Sequence, residues 1–264
     1  MNQQEKPNEQ VSIYITANAL INDSAQLESA IQSAKDAGVD GFELRRELWP
    51  SVIPSDQISP IRSQVAAFSA PPAYSIPRPI FSNGRLDRET LGNGLSEARS
   101  FGCSLVKFSP LGMVPGERDL LELRSFLEDQ AGGLTVTVEN DQSAASGDID
   151  QWVNFFERAA ALQCPIQMTF DLGNWLCVDR DPVEAAQKLG RYVAYVHIKS
   201  VEQKDGKWSA RPIRSAAALH PAFAYLPLDV PRAIEFSPVA TNGEDVLTAL
   251  RTYITYLRSG YFAL

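Results

Sequence analysis

Along this chain, short runs rich in β-branched and aromatic residues alternate with longer stretches whose apolar positions recur every three or four residues. The first pattern predicts strands and the second predicts amphipathic helices, the rhythm of consecutive βα units. After a polar tail over residues 1–10, strands are expected to begin at Val11, Gly41, Ala73, Ser104, Leu134, Ile166, Val193 and Arg232. The clearest helix covers residues 149–162, where Ile149, Trp152, Val153, Phe156, Ala159 and Ala160 share one face behind an Asp148 cap. Val246, Leu247, Leu250, Tyr253, Ile254 and Leu257 repeat that stripe in the last helix. Asp181-Pro182-Val183-Glu184 supplies a cap, a first-turn proline and an acidic residue for another. Pro60 predicts a short or broken second helix near residues 55–67. Residues 200–230, with Pro212, Pro221 and Pro227, read as a long loop with at most one short helix.

Eight alternating units in 264 residues predict one α/β domain over residues 11–264, a closed (β/α)8 TIM barrel. An open doubly wound sheet would carry a phosphate-cradling glycine fingerprint after its first strand, where T-A-N-A-L-I-N-D stands instead. At 44% hydrophobic residues the chain can bury one large core, and a net charge of -8 argues against a nucleic-acid partner. The polar start has neither a basic nor an apolar signal region, and no apolar stretch reaches membrane-spanning length, so neither export nor a membrane is expected. Cys103, Cys164 and Cys177 match no disulfide or zinc-knuckle spacing, which predicts reduced thiols and a cytoplasmic location.

Candidate chemistry sits at the ends of four consecutive strand-like runs, L-T-V-T-V-E, I-Q-M-T-F-D, Y-V-A-Y-V-H and R-A-I-E, closed by Glu139, Asp171, His197 and Glu235. In a parallel barrel such ends converge on one mouth. Each residue alone has a plain reading: Glu139 as a solvated carboxylate, Asp171 as a turn cap, His197 as a core histidine. Stability alone, however, gives no reason to gather three negative charges in one small volume. Three carboxylates and an imidazole suit a divalent ion, Mn²⁺ before Mg²⁺ and Co²⁺, with Zn²⁺ as a further alternative. Four protein ligands on a six-coordinate ion leave two positions for adjacent oxygens of an α-hydroxy carbonyl compound, whose enediolate would be stabilised there.

The ordered set G-F-E-L-R at 41–45, V-E-N at 138–140, F-D-L-G-N at 170–174, V-H-I-K at 196–199 and I-E-F at 234–236 resembles the xylose isomerase-like barrel superfamily. This superfamily of sugar and sugar-phosphate isomerases and epimerases is matched over essentially the whole chain. The resemblance implies a ketose 3-epimerase type of site, with Glu139, Asp171, His197 and Glu235 as metal ligands. It makes Glu139 and Glu235 the acid-base pair, one on each face of the substrate. It also implies substrate-binding or orienting roles for Glu43, Lys107, Asn174, Trp175, Lys199 and Arg211. On the residues alone, Glu43 has a structural alternative as the ion-pair partner of Arg45 or Arg46, and Lys107 reads equally as a snorkelling lysine. Trp175 reads as a packing residue, and Lys204, Lys207, Arg211 and Arg214 as a solvated loop. Asn174 stands where this branch often has a second histidine, and the P-G-x-G-like turn before the eighth strand is missing. The ketogluconate-utilisation epimerases are the nearest subgroup by whole-chain likeness.

The expected function is a metal-dependent epimerase or isomerase of a keto sugar, sugar phosphate or sugar acid, working through an enediolate. The expected partner is that small molecule, with homo-oligomers common among such barrels. A dehydratase on the same ligands is the main alternative. An abasic-site endonuclease would need more histidines than His197 and His220, and a non-catalytic sugar-binding barrel would gain nothing from two opposed glutamates. His220 has no strand context and is set aside.

Overall fold

Each apolar run becomes a strand that buries both faces, outward residues against helices and inward residues against the other strands. The computed structural model describes residues 11–49, 52–109, 111, 115–212, 221–238 and 245–258; the tail over 1–10, Arg214 and His220 lie outside the described residues. The barrel strands are β1 (Ile13–Thr16), β2 (Gly41–Arg45), β3 (Ala73–Ile76), β6 (Leu105–Phe108), β7 (Thr135–Glu139), β8 (Ile166–Asp171), β9 (Val193–Ile198) and β12 (Arg232–Ile234). They pair in parallel in the order β1-β12-β9-β8-β7-β6-β3-β2, and β1 pairs with β2 to close the ring. This is the predicted (β/α)8 barrel, with strand starts at or within two residues of those expected.

Around it run α1 (Leu27–Ala37), α2 (Ser55–Val65), α3 (Arg88–Phe101), α4 (Glu117–Gln130), α5 (Ile149–Ala161), α6 (Leu172–Cys177), α7 (Pro182–Leu189) and α8 (Val246–Arg258). The local signals hold. Asp148 accepts a hydrogen bond from the Gln151 amide at the start of α5, and Asp181 does so from Val183 beside Pro182 in α7. Outward strand residues such as Phe42, Tyr74, Phe108, Val138 and Phe170 pack into the helix layer as one apolar core. Inward residues at the amino-terminal end form a separate floor of Tyr14, Ala73, Leu105, Tyr195 and Ala233. Gly41 sits opposite Tyr14 in the β1–β2 register, and a Cβ there would run into the Tyr14 ring, so glycine is needed to seat the floor.

Two expectations are corrected. α2 runs unbroken through Pro60. The carbonyl that Pro60 leaves without its helical donor belongs to Asp56, an exposed first-turn residue where the loss is tolerated, while Ile61 and Val65 still bury. Residues 200–211 are not loop but an antiparallel hairpin of β10 (Ser200–Lys204) and β11 (Lys207–Arg211). Asp205 and Gly206 both take positive φ, 52° and 73°, the mirror-image turn that suits strand twist. A smaller hairpin, β4 (Phe81–Ser82) with β5 (Arg85–Leu86), turns in the same way through Asn83 and Gly84. Among the described residues no helix is long and apolar enough to cross a membrane. The three cysteines are free thiols, with Cys103 and Cys164 buried.

Candidate metal centre

Strand alternation carries the chemistry. Tyr195 faces the floor, so His197, two residues on, faces the mouth, and the register sets His197 beside Asp171 and beside Ala233. Glu139 and Asp171 end β7 and β8, and Glu235 follows β12 directly. One ligand atom from each of Glu139, Asp171, His197 and Glu235 lies within 4.8 Å of all the others, and all four residues are buried. The sequence-predicted quartet is therefore assembled.

The imidazole is held from both sides. Nε2 lies 2.8 Å from Glu43 Oε2. Nδ1 lies 2.9 Å from Glu235 Oε2, 2.9 Å from Glu139 Oε1 and 3.9 Å from Asp171 Oδ2. Without an ion, Glu43, Glu235 and Glu139 hold His197 protonated despite its burial; a proton kept on Nε2 for Glu43 would leave Nδ1, on release of its own proton, as the nitrogen offered to an ion among the three carboxylates. Asp171 uses its two oxygens differently. Oδ1 caps α6 by accepting from the Asn174 amide at 3.0 Å, while Oδ2 turns into the cluster.

Three buried cations surround this charge. Lys107 Nζ meets Glu139 Oε2 at 2.5 Å. Arg45 spans Glu43 Oε1 and Glu235 Oε1, both at 3.0 Å, and reaches Glu47 Oε1 at 2.7 Å. Lys199 Nζ lies 2.6 Å from Asp171 Oδ2 and 2.9 Å from Glu235 Oε2. Burial on its own would raise Glu43 and Glu139, but the facing cations outweigh it. His197, Lys107 and Arg45 hold Glu43 at about 2, and Lys107 and His197 hold Glu139 at about 2. Glu235 is likewise held well below the usual carboxylate range by Lys199, His197 and Arg45 against its burial. Asp171 goes the other way, to about 7, because burial and the charges of Glu235 and Glu139 outweigh Lys199. Lys199 is nonetheless held above its ordinary value despite burial, since it faces Asp171, Glu235 and Glu139 together.

The donor set fits a divalent ion. Glu139 Oε1 and Asp171 Oδ2 are buried and have no aligned hydrogen-bond donor, although His197 and Lys199 lie close, so each keeps a lone pair directed into the cluster. Two such oxygens, a third from Glu235 and an imidazole nitrogen are what a hard to borderline ion takes. Burying this many carboxylates is costly unless cations compensate them.

The other sequence-predicted residues divide. Glu43, Lys107 and Lys199 join the cluster as described. Asn174 lies against it, its amide on Asp171 and its Nδ2 donating to the Asn140 carbonyl at 2.8 Å. Trp175 is fully buried, with its ring 5.8 Å from the outward-facing Phe170, so it belongs to the helix layer. Arg211 sits on the exposed hairpin, paired with Glu202 at 2.7 Å. Sequence reasoning gave two residues no place in the site, reading Arg45 only as an ion-pair partner of Glu43. Arg45 stands two positions after Glu43 and hence on the same strand face, a signal present in G-F-E-L-R. Asn140 clamps the neighbouring strand end, Nδ2 donating to the Asp171 carbonyl at 3.0 Å and Oδ1 accepting from the Asp171 amide at 2.9 Å.

No family model and no curated protein matches this sequence. Solved structures do match. An L-ribulose 3-epimerase superposes with a TM-score of 0.65 at 18% identity, covering 94% of this chain and 95% of the other. The IOLI protein with a bound zinc atom gives 0.69 at 13% identity, covering 96% and 100%. The probable 3-DHS dehydratase AsbF from Bacillus anthracis gives 0.62 at 12% identity, covering 93% and 99%. At such identities the likeness is one of fold, the closed (β/α)8 barrel that this chain shares with them.

Proposed function

We propose that this protein is a divalent-metal-dependent epimerase or isomerase of a keto sugar, sugar phosphate or sugar acid. One observation carries the reading: Glu139, Asp171, His197 and Glu235 bring a ligand atom each within 4.8 Å at the mouth of a barrel. Those four residues would hold the ion, with Mn²⁺ first among Mg²⁺, Co²⁺ and Zn²⁺. When bound, the ion supplies a Lewis acid beside the substrate carbonyl, worth several kcal/mol to the charge that develops there.

The remaining work falls to the chain. Glu139 and Glu235 are both carboxylates at rest, so one can take the proton from the carbon next to the carbonyl, while the other, first protonated from solvent, gives that proton to the opposite face; exchange with solvent then resets the pair. Glu43 fixes the ring of His197 through Nε2. Lys107 and Arg45 anchor the outer oxygens of Glu139 and Glu235 and so hold both carboxylates in place. Asn140 and Asn174 keep the ends of β7 and β8 together. Trp175 and Arg211, expected as substrate contacts, are left out of the proposed site because of their positions in the helix layer and on the hairpin.

The test is proton exchange. Ketoses and keto acids incubated with the protein and Mn²⁺ in D₂O are expected to exchange the hydrogen beside the carbonyl, seen by NMR. Absence of exchange across a broad panel would leave only a binding role. Fold likeness to a dehydratase makes a second reading worth the same experiment: loss of water, read as a deoxy product by mass spectrometry, would select it. His197→Ala is expected to lower ion affinity first and turnover as a consequence. An unchanged Mn²⁺ titration in that variant would remove His197 from the ligand set.

A further inference from the structure

The three buried cations do not take equivalent oxygens. Lys107 meets Glu139 through Oε2, while Oε1 of that glutamate faces His197 Nδ1. Arg45 meets Glu235 through Oε1, while Oε2 faces His197 Nδ1. Both therefore sit outside the ring of carboxylates and leave its inner oxygens free. Lys199 alone of the three is on the inside. Its ammonium bridges Asp171 Oδ2 and Glu235 Oε2, the oxygens that look toward His197 Nδ1.

A second feature shows that this seat is built into the chain. Lys199 is 6% exposed, and its stem crosses Gly173 in α6. A Cβ at Gly173 would come within 2.6 Å of Lys199 Cγ and 3.1 Å of Lys199 Cε, and within 3.0 Å of Val201 Cγ1. The glycine thus opens the path by which the lysine reaches the inner oxygens. Asp171, Gly173 and Asn174 lie within one helical turn, so the same turn supplies a ligand, the channel for the competing cation and a clamp.

Resting on the metal-centre reading above, we propose that Lys199 is a tethered counter-ion of that centre. Its ammonium holds Asp171 and Glu235 together before an ion arrives, and it leaves their inner oxygens when one binds. A divalent ion and the ammonium need the same lone pairs, and like charges at that separation repel. Ion affinity is therefore set by competition with the chain's own side chain. The arrangement lets a site with several buried carboxylates fold without metal, at the cost of weaker ion binding than the ligands would otherwise give.

Calorimetric titration of the metal-free protein with Mn²⁺ tests this, together with melting temperature with and without Mn²⁺. Lys199→Met is expected to bind Mn²⁺ about ten-fold more tightly or better, the scale set by removing one close positive charge. Its metal-free form is expected to melt lower than wild type and to gain more on adding Mn²⁺. Gly173→Ala, which keeps the charge but crowds the stem, is expected to shift affinity in the same direction by less, and it answers the question if Lys199→Met does not fold. Equal or weaker Mn²⁺ binding in the folded variants, with wild type binding normally, overturns the counter-ion role and leaves the metal centre standing. No Mn²⁺ binding by wild type or variants removes the metal centre and this inference with it.

Discussion

The two ends of the barrel interior are built from the same strands, two residues apart, and share almost nothing else. At the floor Tyr14 and Tyr195 meet edge to face at 5.8 Å over Ala73, Leu105 and Ala233, a plug held by volume and apolar burial. One inward position further along, Leu105 gives way to Lys107, Tyr195 to His197 and Ala233 to Glu235, with Glu139 and Asp171 at the same end. The mouth is a set of charges that hold one another out of water. The Tyr195 ring lies edge-on to His197 at 5.1 Å, so the two layers touch directly. The floor stabilises the fold without chemistry, and the mouth concentrates chemistry in a place that costs stability. Substitutions should therefore separate cleanly: turnover and ion affinity at one end, melting temperature at the other.

The largest effect is expected at Glu235. Glu235→Gln keeps the shape but loses a carboxylate proposed to transfer the proton, so exchange in D₂O should fall by about 10²- to 10⁴-fold while circular dichroism stays native. A variant that still exchanges at the wild-type rate would break the assignment of acid-base roles. The matching change at the floor is Gly41→Ala, whose methyl must displace the Tyr14 ring. Overpacking of this kind costs about 1–3 kcal/mol, read by denaturant titration, with Mn²⁺ affinity close to wild type in the folded protein.

Why one end was easier to read than the other follows from the range of the signals. Strand runs, the Asp148 and Asp181 caps and the gathering of the four strand-end candidate ligands were legible because each depends on alternation or on a contact within one turn. The two hairpins carried a local signal as well, Asp205-Gly206 and Asn83-Gly84, but their strands are short or exposed and polar, so no apolar alternation flagged them. Trp175 and Arg211 were harder for another reason. Trp175 follows Asp171 by four positions and Arg211 follows Lys199 by twelve, yet helix phase turns Trp175 outward onto Phe170 and the hairpin carries Arg211 to Glu202. Glu43 shows that a bland and a functional reading need not exclude each other, since it is both the ion-pair partner of Arg45 and the support of His197.

Glu43→Gln sharpens the comparison at the mouth itself, since it removes a charge from a residue that supports a candidate ligand without belonging to the quartet. Loss of such a supporting partner typically costs about 10- to 100-fold in metal affinity, and the Mn²⁺ titration should fall in that range. The variant should also change the acid limb of metal-free stability. Glu43 is held at about 2, below its ordinary 4.5, by partners that exist only in the folded protein. Its contribution is therefore fully present above about 4.5 and is lost as the pH falls through that window toward 2. Glu43→Gln should flatten this part of the stability curve. An unaltered acid limb would show that Glu43 is not ionised against His197 and Arg45.

The smallest expected effect gives the strictest test of the separation. Tyr14 donates from its hydroxyl to the Pro71 carbonyl at 2.8 Å, tying the floor to the chain entering β3. Tyr14→Phe keeps the ring contact with Tyr195 and removes only that bond, worth about 0.5–1.5 kcal/mol of stability. Because that ring contact is kept, D₂O exchange and Mn²⁺ affinity should both match wild type while the melting temperature drops. If exchange falls in step with stability, the ring that joins Tyr14 to His197 through Tyr195 transmits strain from floor to mouth, and the two ends act as one unit.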